Sequence, residues 1–161
     1  MCRPVISDGP RAEPVRLRRH RKRCLGVASL RHTVVKLTEK QARLFLDKNF
    51  GAVATIRADG TPHVTPVWID YDGEHVLFNT ATGRAKWLHM QRDPRVTIEV
   101  YAQDDPYHYV TVTGTVELEE GEAADRHIDK LSEKYTGNPK FQSHRPGERR
   151  VIVRVTPERV S

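Results

Sequence analysis

Cysteine is scarce in this sequence: Cys2 and Cys24 are the only two in 161 residues. Two cysteines cannot build a disulfide framework or a four-ligand zinc site, and their scarcity points to a reducing compartment, read here as the cytoplasm. No apolar run approaches the ~18 residues of a membrane-spanning helix. Familiar catalytic signatures are missing too. The sequence has no G-x-S-x-G elbow, no Walker A or G-x-G-x-x-G loop, and no H-E-x-x-H pair. The eight histidines never fall at i,i+3 or i,i+4, so a helical metal site has no spacing to rest on and no metal is expected.

Positive charge is abundant, but unevenly placed. Residues 1–36 hold ten Lys and Arg against Asp8 and Glu13, a net of +8, whereas residues 37–161 have a net of −2. The high isoelectric point therefore belongs to the N-terminal stretch, and the body is not a basic nucleic-acid-binding domain. The stretch carries Arg16-Leu-Arg-Arg-His-Arg-Lys-Arg-Cys24, three prolines and no sustained period, the pattern of a disordered, solvated extension or an over-long gene start. Nucleic-acid or anionic-lipid contact through residues 16–23 is disfavoured against that reading. A targeting segment is disfavoured too, because the apolar run Cys24–Leu30 is short and is followed at once by Arg31. Residues 1–36 are accordingly set apart from a single domain over 37–161.

The body divides into short strands and three helices. Thr38-Glu-Lys-Gln41 has the form of a capping box, and a helix is expected from there to about Asn49, burying Ala42, Phe45 and Leu46 and ending at Gly51. Strands are expected at 52–56, 63–71 and 75–80, joined by turns at Asp59-Gly60 and Asp72-Gly73. Pro66 lies within the second strand and cannot donate to a ladder, which marks an edge, a bulge or a place where a ligand meets the backbone. A helix over 84–92, strands at 95–101 and 109–118, a helix after Gly121 with Ala124, Ile128, Leu131 and Tyr135 on one face, and a last strand at 150–156 complete the chain. Gly114 suggests a bulge or a close backbone approach in the fifth strand. About six antiparallel strands with three peripheral helices argue a mainly β fold, a closed or split barrel, and exclude a doubly wound parallel sheet.

One segment carries chemistry. In Asn79-Thr-Ala-Thr-Gly-Arg-Ala-Lys86 a strand ends in hydroxyls and a glycine and enters a helix bearing two cations. Free N–H groups and the positive end of the helix dipole favour phosphate there. Arg84 offers a fork for two oxygens and Lys86 a point charge. A plain helix cap with solvated cations has the same local sequence. The neighbouring Thr65-Pro-Val-Trp68 offers exposed main chain and apolar surface for a planar ring, while Trp68 is equally suited to a core or a dimer contact.

Taken together, Ala52-Val-Ala-Thr-Ile-Arg-Ala-Asp-Gly-Thr-Pro-His-Val-Thr-Pro-Val-Trp68, Asn79-Thr-x-x-x-Arg-Ala-Lys86 and Arg92-Asp-Pro-Arg-Val96 resemble the pyridoxamine 5′-phosphate oxidase-like split β-barrel family. Within it the chain is most similar to the deazaflavin-dependent reductases, which use coenzyme F-420. Pro106-Tyr-x-Tyr109, Gly114-Thr-Val116, His127-Ile-Asp129, Tyr135-x-Gly137 and Arg145-Pro-Gly-Glu148 resemble the same branch. The resemblance implies a homodimer that takes a small-molecule substrate and holds coenzyme F-420, or alternatively FMN, in a groove between subunits. Arg84 and Lys86 would hold its phosphate beside Thr80 and Ala81. The backbone of Thr65, Pro66, Val67 and Trp68 would line its ring, and Tyr107 to Tyr109 would reach in from the partner. Pro66 and Trp68 depart from related branches, which carry polar residues there. No catalytic acid, base or nucleophile is assigned, since hydride transfer is the cofactor's chemistry. Replacing Lys86 or Arg84 by Ala should weaken cofactor binding by ~1.5–3 kcal/mol, the range for charged hydrogen bonds. Equilibrium titration checks this, and unchanged affinity in both variants would remove the phosphate cradle.

Overall fold

A computed structural model describes residues 35–161, so the reading of the basic N-terminal stretch lies outside the described residues up to residue 34. Helix α1 (Glu39–Leu46) starts from the expected capping box: the Thr38 hydroxyl accepts from the Gln41 backbone at 3.3 Å, and the Gln41 side chain accepts from the Thr38 backbone at 2.9 Å. It ends three residues earlier than the sequence suggested. Asp47 is extended, and the Asn49 side chain donates to the Leu44 carbonyl at 3.0 Å, satisfying an acceptor that the helix leaves free. The buried face is Leu44 and Phe45, whereas Leu46 is half exposed. Gly51 terminates nothing. It lies inside β1 (Phe50–Ile56), where a Cβ would sit 2.7 Å from Ile69, so glycine is there for close packing.

Strands β2 (Pro62–Tyr71), β3 (Val76–Ala81), β4 (Arg95–Tyr101), β5 (Tyr109–Glu120) and β6 (Arg150–Val160) complete a closed antiparallel barrel in the order β1-β2-β3-β6-β5-β4. Alternate residues fill it: Val53, Ile69, Phe78, Ile98, Val112, Val153 and Val155 are inaccessible to solvent. This is the packed interior of a small barrel. The last strand passes beyond the expected Thr156, through Pro157. A ladder shift between Thr113 and Gly114 sets Gly114 against Pro157, and the bulge accommodates a residue with no N–H.

The pairing of β2 is unequal. Its length pairs with β1 from Trp68 to Pro62, but with β3 only at Ile69, Asp70 and Tyr71. Pro62 to Trp68 therefore have no partner on the β3 side, and Pro66 falls in that stretch. Meanwhile β3 runs on beside β6, pairing Asn79 with Ile152 and Ala81 with Arg150. The two strands diverge there, and α2 (Ala85–Arg92) and α3 (Glu122–Thr136) border the opening.

Helix α3 buries Ala124, Ile128, Leu131 and Tyr135, the face its spacing indicated, and stops at Gly137 in the left-handed conformation. Two sets of polar contacts fasten it. At one end the Tyr135 hydroxyl accepts from the Ile69 N–H at 3.1 Å and donates to the Asn49 carbonyl, and the Lys134 ammonium donates to the Phe45 and Ile69 carbonyls at 2.7 and 2.8 Å. At the other, Asn79 Nδ2 donates to the Ala124 carbonyl at 2.9 Å and faces His127 Nδ1 at 3.4 Å. His127 is buried, and burial holds its imidazole down to about 4.

Two outcomes follow from this packing. A Cβ at Gly114 would lie 2.0 Å from the Thr156 carbonyl oxygen. Gly114→Ala should therefore cost about 1–3 kcal/mol or more, read as a lower urea midpoint, and an unshifted midpoint would contradict the close approach. His127 remains neutral in the folded chain while the unfolded imidazole protonates near 6.5, so stability falls as pH drops from 6.5 toward 4. The loss by pH 5 should be ~2 kcal/mol and should shrink in His127→Gln. Urea titrations of both chains at pH 7.5 and 5 decide it, and equal losses would show that His127 is not the group responsible.

Candidate cofactor cleft

Where β2 and β3 part, a cleft of about 260 Å³ opens. It is lined by Pro66, Val67 and Trp68 of β2, Phe50 of β1, Ile128 and Leu131 of α3 and Phe141 of the loop before β6, with Trp68 and Phe141 packed against the α3 side chains. The apolar end is rigid. The Trp68 and Tyr135 rings stack at 5.3 Å, only 3° from parallel, and Phe141 meets Trp68 edge-on at 6.0 Å. Tyr135 is itself pinned by its bonds to Asn49 and Ile69, so Trp68 lies on a fixed support. Burial pushes the Tyr135 phenol up to about 12, and it stays protonated.

The other end is cationic. From β3 the chain passes Thr82 and Gly83, whose φ of 77° suits a residue without Cβ, to Arg84 at the N-cap of α2. No side chain caps that helix, so its first N–H groups retain the affinity for an anion that an open helix start has. Arg84, Lys86 and Arg150 all line the cleft. Arg84 is engaged by a carboxylate, its Nε and Nη2 donating to Glu148 at 2.8 and 2.9 Å. Among the described residues, neither Lys86 nor Arg150 has an ion pair. Burial, reinforced by the Arg84 and Arg150 charges, draws the Lys86 ammonium below its ordinary value.

Arg150 is the most enclosed of the three, only 4% exposed. Its Nε donates to Asn79 Oδ1 at 2.7 Å, its guanidinium lies 5.0 Å over the Phe141 ring, and its Nη1 is buried with no partner. Burial, with the Arg84 charge beside it, draws it down to about 10, still charged at neutral pH. The Glu148 and Asp125 carboxylates nearby oppose that shift without forming an ion pair, and a buried cation with no ion pair is costly unless an anion completes it. The orphaned Nη1, the Lys86 ammonium and the open start of α2 thus fit a phosphate, and the flat Trp68 wall fits a planar ring.

Five of the nine residues singled out in the sequence line this cleft: Pro66, Val67, Trp68, Arg84 and Lys86. Thr80 and Ala81 are buried beside it, and the hydroxyls of Thr65 and Thr80 are enclosed without a partner. Tyr109 lies elsewhere. It pairs with Tyr101 at the start of β5, half exposed, and borders a small hollow with Lys40, His108 and Ser161. Sequence reading missed Arg150, Phe141 and the buttress Tyr135. An arginine before Val-Ile-Val looks like a solvated strand end, and only the β3–β6 register carries it into the cleft. Among the described residues, no group of three or more His, Cys, Asp and Glu is placed to hold a metal ion, and no helix is long and apolar enough to cross a membrane.

Residues 37–161 match the family model of pyridoxamine 5′-phosphate oxidase. An F-420 reductase of solved structure is 31% identical, with a TM-score of 0.67 over 78% of this chain and 98% of that one. A conserved hypothetical protein from Mycobacterium tuberculosis is 25% identical, with a TM-score of 0.59 over 79% and 84% of the two chains. General stress protein 26 from Bacillus anthracis shares the fold at 18% identity, with a TM-score of 0.55 over 76% and 89%. With its closed six-strand barrel, its three helices and that match, the chain belongs to the pyridoxamine 5′-phosphate oxidase family.

Proposed function

We propose that the chain is an oxidoreductase that uses reduced coenzyme F-420 to deliver a hydride to an electrophilic small molecule, of the quinone or conjugated-carbonyl class. The observation that carries the reading is the cleft itself. Its lining joins the Trp68 ring to three cations, of which only Arg84 is ion-paired, to Glu148. The F-420 reductase at 31% identity, covered over 98% of its length, supports that cofactor rather than FMN.

When bound, the reduced deazaflavin supplies the hydride from its C5 carbon, and the protein supplies position and electrostatics. Lys86 and Arg150 hold the phosphate, and Arg150 is aimed by Asn79 and Phe141. Pro66 to Trp68 orient the ring from the side of β2 that has no strand partner. The stack of Trp68 on Tyr135 keeps that wall from shifting, and Ile128, Leu131 and Phe141, packed beside it, exclude water. Tyr135 is not the proton donor, because its hydroxyl is committed to Asn49 and Ile69. In the same reading two copies associate in the cytoplasm. Tyr107 and Tyr109, exposed and outside their own chain's cleft, then face the partner's.

Side-by-side titration of the full chain with oxidised F-420 and with FMN tests this, followed by an acceptor screen with the reduced cofactor. Tight F-420 binding, weaker FMN binding and turnover of a quinone or enone are expected. Preference for FMN with oxygen reactivity would move the protein to a flavin oxidase role. Tight F-420 binding with no acceptor reduced would make it a carrier.

A further inference from the structure

His127 lies outside the cleft lining and outside the function proposed above, yet it is buried on α3 beside the residue that aims Arg150. We propose that His127 is a positioning residue for phosphate binding: as a hydrogen-bond acceptor at Nδ1 it fixes the Asn79 amide, and Asn79 in turn holds the Arg150 guanidinium toward the cleft. This rests on the phosphate reading of the cleft, whichever cofactor carries that phosphate.

The register of β3 on β6 sets the geometry. Asn79 lies opposite Ile152, and Ala81 opposite Arg150. Asn79 and Arg150 are thus diagonal neighbours on one face of the ladder, a spacing that long side chains bridge. Helix α3 packs on that face, with Ala124 against Leu77 and Ile152.

A guanidinium only donates and a backbone carbonyl only accepts. Asn79 therefore turns Oδ1 to Arg150 Nε, at 2.7 Å, and Nδ2 to the Ala124 carbonyl, at 2.9 Å. The second Nδ2 proton is left for His127 Nδ1, at 3.4 Å. That contact needs a lone pair on Nδ1, which places the ring proton on Nε2. Burial first, then the charges of Lys130, Arg154 and Arg150, hold the imidazole down to about 4 against the pull of Asp70, so the ring is neutral at pH 7.5. Its Nε2 is enclosed with no partner, and Asn79 is the ring's one hydrogen-bond partner among the described residues. Without this acceptor an Nδ2 proton is orphaned beneath α3, a cost that Asn79 relieves by leaving its position. Arg150 Nε then loses its acceptor. Its Nη1 has no protein partner to hold it, so the guanidinium rotates about Cδ–Nε and Nη1 turns out of line with the cleft.

The test uses the full chain at pH 7.5 and separates phosphate recognition from ring binding. Oxidised F-420 is titrated by fluorescence beside the same deazaflavin lacking its phosphate, and FMN beside riboflavin. Asparagine at 127 puts an acceptor where Nδ1 stands, glutamine puts its amide at the Nε2 end, and leucine has no acceptor. His127→Leu and His127→Gln should each weaken the phosphate-bearing ligand about tenfold relative to the phosphate-free one, a coupling typical of members of one hydrogen-bond network. His127→Asn should return the ratio to within about twofold of wild type. In an Arg150→Met background the His127 substitutions should change the ratio no further. Equal ratios in wild type and His127→Gln overturn the assignment. So does a loss shared equally by both ligands, or one that asparagine fails to repair, since displaced packing gives either. An undiminished effect in the Arg150→Met chain overturns it too. If His127→Leu does not fold, the comparison of His127→Gln with His127→Asn decides. Preference for FMN over F-420 would fail the cofactor reading alone, and the His127 ratio is then read on FMN. A wild-type chain that binds neither phosphate-bearing ligand more tightly than its phosphate-free form overturns this assignment and the phosphate cleft together.

Discussion

The three-residue ladder between β2 and β3 is the constraint on which the rest of the molecule depends. Ile69, Asp70 and Tyr71 hold the strands together, and beyond Ile69 they separate. Had the ladder continued, Pro66 would have faced a strand with no N–H to offer, and Trp68 would have been covered. Because it stops, the barrel still closes through β6 and β3 while one seam remains open. Tyr135 consolidates the end of that ladder by bonding both to Ile69 and to Asn49, and the same ring supports Trp68. One side chain thus joins barrel closure to the shape of the cleft.

Charge at the cleft follows the opposite logic from the core. Burial of Arg150 and Lys86 is unfavourable in isolation, and Glu148, ion-paired to Arg84, acts on Arg150 only as a nearby opposite charge. Among the described residues two such cations meet where β3, α2 and β6 converge, while Lys134, also drawn down by burial, to about 8, is met by backbone carbonyls instead. Asn79 ties that end to α3: it accepts from Arg150 and donates to Ala124, with His127 next to it. The orientation of the cationic group therefore depends on the helix packed behind it.

Much of the fold was legible because short-range physics dictated it. The capping box at Thr38, the turns at Gly60 and Gly73, the bulge at Gly114 and the one-sided spacing of α3 are local features, and each stands where the residues indicated. The errors have tertiary causes. Gly51 looked like a helix stop, yet it answers the side chain of Ile69 on the neighbouring strand β2. Pro157 looked like a strand end, yet the Gly114 bulge makes room for it. In the cleft, Pro66, Trp68, Arg84 and Lys86 were visible as a proline in a strand and cations at a helix start. Arg150 and Phe141 were not, because nothing local distinguishes a buried arginine or phenylalanine from others at strand and loop ends.

By itself the sequence determined the elements, the alternation that fills the barrel and the phosphate-friendly start of α2, since these depend on residues within a few positions of one another. Only the tertiary structure decided which cations face one another and which of them is already neutralised. Glu148 lies 64 positions from Arg84, and Arg150 lies 71 from Asn79, so neither pairing leaves any mark on local spacing. Both arise from the antiparallel register of β3 on β6, which brings the start of the last strand against the end of the third.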